Sequence, residues 1–248
     1  MVQRHLPARA RFERLVPHLR GHALLFEARV PAAYDSSRGI RLLMIFLLRE
    51  GVIGPRLSIL TWLHVPIPPP WLRVLVLPGL ALMLVGFFAR LGPRQIGLYP
   101  WREWGRTEKS YFLQVFPLAT VIFSLLFADR LRMIFGDSSQ WWRAGVALVT
   151  YFVWGFYQEL VYRGILQTEL VLRWGTLPGI LVGNSFYTFG PLHLYHFSAA
   201  SPLPMFVAIF AIGLFFAALF RRSGNLCMVG ILHGLGDSFF TGLGTVAH

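Results

Sequence analysis

The sequence predicts an all-α fold, a polytopic integral membrane helical bundle, and three observations carry that expectation. Hydrophobic residues make up 55% of the 248 and charged ones only 14%, a balance displaced from soluble usage. Apolar stretches recur that are long enough to cross a bilayer core of about 30 Å, which takes roughly 20 residues as a helix. Basic residues collect unevenly in the connections between them, as the positive-inside rule expects.

Residues 1–41 read as a basic arm, soluble or interfacial. Charge and proline interrupt "MVQRHLPARARFERLVPHLRGH" too often for the core of a secretory signal, and eight Arg up to Arg41 stand against Glu13, Glu27 and Asp35. Residues 42–248 form the expected transmembrane domain. Its first candidate span, Arg41 to Val65, is weak, because Arg49, Glu50 and Arg56 would fall near the middle. Stronger candidates follow at Trp71 to Ala89, Ser110 to Ala128, Trp141 to Tyr162, Leu177 to Tyr195, Leu203 to Phe220 and Leu226 to Leu243. Basic residues crowd the arm and the connection Arg90 to Lys109, and placing both on one side requires an even number of crossings between them. The weak segment then spans, which makes seven transmembrane helices with the arm in the cytoplasm and His248 outside. If it does not span, the count is six and the arm lies outside.

Formal charge is +12, nearly all of it arginine, since Lys109 is the only lysine. These arginines flank apolar segments instead of forming one stripe, a pattern suited to anionic lipids and not to nucleic acid. Cys227 is the sole cysteine, which excludes an intramolecular disulfide and a cysteine-clustered zinc site. No internal repeat is visible.

Most of the acidic residues fall in the arm, in loops or at span ends; Glu159 and Asp237 do not. An ionisable side chain inside the membrane costs about 2.5 to 3.5 kcal/mol on insertion scales, so it faces the bundle interior and finds a partner. Residues four apart share a helix face. Glu159 and Arg163 have that spacing in "FYQELVYRGILQ", and so do His233 and Asp237 in "ILHGLGDSFF". Between them, "SFYTFGPLHLYHF" spaces Phe189 and His193 likewise. Any one pair reads as easily as a packing clasp: a buried ion pair, an interfacial histidine, a polar bridge between helices. Three such pairs on three successive apolar helices favour a common site within the core at about 141–243.

In that order, "QELVYR" (Gln158 to Arg163), "FGPLH" (Phe189 to His193) and "HGLGD" (His233 to Asp237) resemble the motifs of the CPBP family of intramembrane proteases. That group takes in the CAAX proteases, the bacteriocin-processing proteins and the Ras-converting type of prenyl endopeptidase. The resemblance implies an intramembrane endopeptidase of glutamate-dependent chemistry acting on a membrane-embedded or lipid-anchored peptide; with the spans and the charge bias above, the expectation is a multi-pass protein of the bacterial inner membrane with a cytoplasmic N-terminus. It implies that Glu159, His193, His233 and Asp237 are catalytic and that Gln158, Arg163 and Phe189 shape the site. His193 would hold the water and His233 would donate to the oxyanion. Asp237, which as a carboxylate only accepts, would orient His233. Neither prenylated nor other precursors are singled out, because a motif does not fix specificity.

The chain departs from the family pattern at Gln158, where the first glutamate, the general base, is expected; an amide has no useful basicity. Glu159 is turned about 100° from it on an α-helix. Three outcomes stay open: Glu159 takes the base role if the helix is locally irregular, Gln158 positions a water that His193 deprotonates, or the site binds without cutting. Gly190-Pro191 inside the second motif predicts a break in the span with His193 at the start of a new helix. No cofactor is expected; zinc on Glu159, His193, His233 and Asp237 is the alternative ranked below metal-free chemistry, there being no His-Glu-x-x-His pair. Competing functions are a silent relative that captures a membrane peptide and, ranked last, a proton-coupled transporter.

Overall fold

A computed structural model describes residues 36–52, 62–64, 69–193, 197 and 202–243 of the chain. Most of the expected arm, the middle of the weak candidate span, His196 and His248 lie outside the described residues. Among those described, every regular element is a helix.

In order, α1 is Ser36–Val52, α2 Pro70–Phe87, α3 Arg106–Leu126 and α4 Ala128–Gly136. Helix α5, Trp141–Glu159, runs through a π-helical segment, Leu160–Gln167, into α6, Thr168–Trp174. Then come α7 at Thr176–Phe189, α8 at Pro202–Ser223 and α9 at Leu226–Asp237, the last extended by a π turn at Ser238–Gly242. Five of the six strong candidate spans are therefore helical over nearly all their described residues, and the sixth, Leu177 to Tyr195, is helical only to Phe189. Three helices among the described residues are long and apolar enough to cross a membrane: α3, the rod 138–174 and α8, with Val74–Phe87 of α2 a shorter apolar stretch.

Polarity in this bundle is inverted relative to a water-soluble one. Leu113, Leu118, Val121 and Leu125 of α3 and Leu203 and Val207 of α8 point outward, while Gln158, Glu159, Arg163, Gln167, Asn184 and Thr188 are enclosed. Apolar surface on that scale calls for an apolar solvent. The core proper joins Leu42, Ile45 and Phe46 of α1, Val85 of α2, Tyr157, Tyr162 and Ile165 of the rod, and Leu219, Met228 and Val229 beyond.

Helix α1 begins at Ser36, ahead of Arg41, and so takes in the end of the expected arm. Its arginines find partners that offset their cost in an apolar setting. Arg49, only 3% exposed, donates from Nε to Tyr157 Oη at 2.9 Å and lies over the same ring, and Arg41 Nη1 donates to Phe88 O at 3.0 Å. His64 has a left-handed φ of 55°, which ends any continuous helix through the far end of the weak candidate span.

Two features set the depth of the polar groups. The rod of 37 residues is about 55 Å long, well beyond a bilayer core, so Glu159 sits along its middle and not at the end of a span. Helix α7 has only 14 residues, about 21 Å, and stops short of a full crossing. It ends because Gly190 turns extended, φ −79° and ψ −177°, and a methyl group there would collide with Phe186 O. The span thus breaks where Gly190-Pro191 predicts, and His193 N donates to Gly190 O at 3.1 Å in a turn; the expected new helix beyond it would run through 194–196, outside the described residues. Irregular backbone at membrane depth is tolerated where it is enclosed by protein or lines a wet cavity.

Candidate active site

Glycines make the site by letting α5 and α9 approach closely. A Cβ on Gly155 would lie 2.8 Å from Gly234 Cα, one on Gly230 2.6 Å from Phe156, and one on Gly234 would strike Phe152 O. "GILHG", Gly230 to Gly234, is thus a small-x-x-x-small contact, and His233 lies inside it.

Across this contact two adjacent residues of α5 meet two residues one turn apart on α9. His233 Nδ1 donates to Glu159 Oε1 at 2.6 Å, and Gln158 Nε2 donates to Asp237 Oδ2 at 2.7 Å. The other oxygen of Glu159, Oε2, lies 3.3 Å from Arg163 Nε, so the carboxylate, 0% exposed, is held on both sides. Glu159 keeps α geometry, φ −65° and ψ −38°, and the π widening starts only at Leu160. It is stabilised where Thr168 donates to Arg163 O from its amide and from Oγ1, the latter at 2.9 Å. Such π segments recur at functional sites.

Because an ionised Glu159 only accepts, Nδ1 of His233 carries the proton and Nε2 faces the opposite way. There it lies 3.6 Å from Asp237 Oδ1 and 3.5 Å from Tyr187 Oη. Phe216 stacks flat on the imidazole at 5.0 Å, and Tyr187 approaches it edgewise at 6.1 Å. His193 sits against the same tyrosine: its Nδ1 donates to Tyr187 O at 2.7 Å, and the rings meet edge to face at 4.9 Å. That bond assigns the Nδ1–H tautomer to neutral His193 and puts the lone pair on Nε2.

Arg163 closes the far side. Its Nη2 donates to Gly213 O at 3.0 Å and contacts Asn184 Oδ1 at 3.3 Å, and the guanidinium lies 4.8 Å from the Tyr187 ring centre. Glu159, Gln158, Arg163, His193, His233 and Asp237 are therefore brought together around Tyr187. Phe189 is not part of that cluster. Helix α7 ends at Phe189 itself, so its spacing from His193 is not helical, and the ring packs on Phe206 and Phe210 of α8 instead. Tyr187 and Asn184 carry no charge and did not stand out in the sequence; only the Gly230/Gly234 spacing was a readable signal of the helix contact.

The donor set does not suit zinc. The Nδ1–H of His233 points at Glu159, the second oxygen of Glu159 is taken by Arg163, and among the described residues no three His, Cys, Asp or Glu are grouped to hold a metal. What the arrangement offers chemically is two oriented imidazoles and one carboxylate within reach of water: Asp237, whose side chain is 22% exposed.

No curated protein and no solved structure matches the chain. Residues 140–239, from the head of α5 to the π turn after Asp237, match the family model described as Type II CAAX prenyl endopeptidase Rce1-like, and it is this family that the enclosed polar core and its three motifs resemble.

Proposed function

We propose that the chain is an intramembrane endopeptidase cleaving a membrane-embedded or lipid-anchored peptide or protein precursor. One observation carries the reading: within an apolar helical bundle, Glu159 on His233 at 2.6 Å and Gln158 on Asp237 at 2.7 Å converge with His193 around one tyrosine. Such a set supplies what peptide hydrolysis needs where water is scarce, a held water and fixed donors for the oxyanion. The match over residues 140–239 supports the same activity at the level of the family.

Glu159 acts through His233 in this reading. Oε1 accepts from His233 Nδ1, and Oε2 is fully buried in an ion pair with Arg163 without a hydrogen bond, so Glu159 fixes the tautomer and orientation of the imidazole instead of touching water. His193, its Nδ1–H spent on Tyr187 O, offers an Nε2 lone pair as a second acceptor, and Arg163 braces Glu159 and Tyr187 from behind. Gln158 removes no proton.

The activity is tested by comparing membranes of a strain lacking the chain with the same strain carrying it, reading protein N- and C-termini by mass spectrometry. Precursors that stay uncut only in the deletion strain support it; identical termini in both overturn it. A second reading, capture without cutting, is favoured by the amide of Gln158 at the expected base position. It predicts an intact precursor that co-purifies with the wild-type chain.

The chain is a membrane protein by its family match and its apolar helices. We place it in the bacterial inner membrane with the arm in the cytoplasm on anionic lipids, from the arginine excess of the arm and of the 90–109 connection. Reporter fusions at the two ends that report an external N-terminus would refute that orientation.

A further inference from the structure

We infer that Asp237 is the general base of the site and that Gln158, facing it across the α5–α9 contact, is its positioning residue. This rests on the endopeptidase reading and deepens it.

The site holds two carboxylates, and their surroundings differ. Glu159 is fully enclosed, with Oε1 on His233 Nδ1 and Oε2 on Arg163 Nε. Asp237 is partly open, with Oδ2 fixed by the Gln158 amide at 2.7 Å and Oδ1 turned toward His233 Nε2 at 3.6 Å. That separation is too long for a direct hydrogen bond, and Tyr187 Oη stands a similar 3.5 Å from the same nitrogen. The 3.6 Å gap between Asp237 Oδ1 and His233 Nε2 suits one bridging water beside the Tyr187 hydroxyl, as a polar separation beyond 3.5 Å invites. Asp237 Oδ1 is the one carboxylate oxygen at that point.

The step balances without an added reactant. An O–H bond of the water breaks and its proton passes to Asp237 Oδ1, while the water oxygen forms a bond to the scissile carbonyl carbon and the carbonyl π pair moves to oxygen. The tetrahedral oxyanion then reforms the carbonyl as the C–N bond breaks, and Asp237 returns the proton to the leaving nitrogen. The products are a carboxyl and an amine. Gln158 contributes by holding Oδ2, which fixes the direction of Oδ1, and an amide at 158 suits that task as a second carboxylate would not, since two charged carboxylates at 2.7 Å repel.

The test is an exchange. The full chain is returned to the deletion strain as wild type, Asp237→Asn, Gln158→Ala and the double variant Gln158→Glu, Asp237→Asn, with precursor cleavage rates read from newly formed termini. Expression and thermal unfolding in detergent establish that each variant folds. Asp237→Asn, nearly isosteric, should lower cleavage at least about 100-fold, the usual contribution of a general base. The double variant restores one carboxylate facing one amide and should recover cleavage to within about tenfold of wild type, which mere packing would not predict. Asp237→Asn that cuts as fast as wild type, or an exchange variant as inactive as the single one, overturns this assignment and leaves the endopeptidase reading standing. A wild-type chain that cuts nothing overturns both.

Discussion

Oε1 of Glu159 lies 2.6 Å from Nδ1 of His233, between residues 74 apart in the chain. The same carboxylate faces Arg163 at 3.3 Å, so one acid ties the rod to α9 and neutralises the guanidinium that ties it to α7 and α8. Stability and site geometry therefore share a residue, and paired substitutions are needed to separate them.

Glu159→Ala strands a buried guanidinium and should cost about 3 to 5 kcal/mol. Replacing both partners, Glu159→Gln with Arg163→Met, should recover most of that loss, because Gln still accepts from His233 and no unpaired cation remains. Thermal unfolding in detergent micelles measures both. Cleavage that survives Glu159→Ala unchanged would remove Glu159 from the mechanism.

The glycine contact makes a sharper contrast along a single helix. Gly234→Ala drives a methyl group into Phe152 O and should destabilise by about 1 to 3 kcal/mol while moving His233 away from Glu159. Gly236→Ala, two residues on, meets nothing within 4 Å and should be neutral or stabilise by up to about 1 kcal/mol, as a helical glycine exchanged for alanine does. Equal effects of the two on unfolding would contradict the packing.

His193→Asn retains a donor for Tyr187 O but removes the imidazole lone pair. Cleavage should fall about 100-fold with the unfolding temperature little changed. A large loss of stability instead would assign His193 to holding the α7 turn.

Chelation should leave the activity intact, since Nδ1 of His233 is turned to Glu159 Oε1 and the other oxygen of Glu159 faces Arg163, which keeps both from a metal. Cleavage measured after exhaustive treatment with a chelator, and again with added zinc, decides the point; loss on chelation with recovery on zinc would restore the metal alternative.

Much of this protein follows from the order of its residues alone. Apolar runs of bilayer length specify the helices, because an unpaired backbone cannot cross hydrocarbon. Gly190-Pro191 specifies the break after α7, because Pro191 cannot continue a helix hydrogen-bond ladder. Glu159 and Asp237 mark the site, because a carboxylate in such a setting needs a partner. Which partner each would take was beyond the sequence. Gln158 and Glu159, 100° apart in projection, both reach α9, and Phe189 falls outside the cluster that Tyr187 and Asn184 join. Those outcomes depend on how closely α5 and α9 approach at Gly155, Gly230 and Gly234 and on where α7 stops, and interhelical distance and rotation are settled by packing among residues far apart in the chain. The spacing of Gly230 and Gly234 marks a close helix contact, but no spacing along one helix names the partner or the rotation.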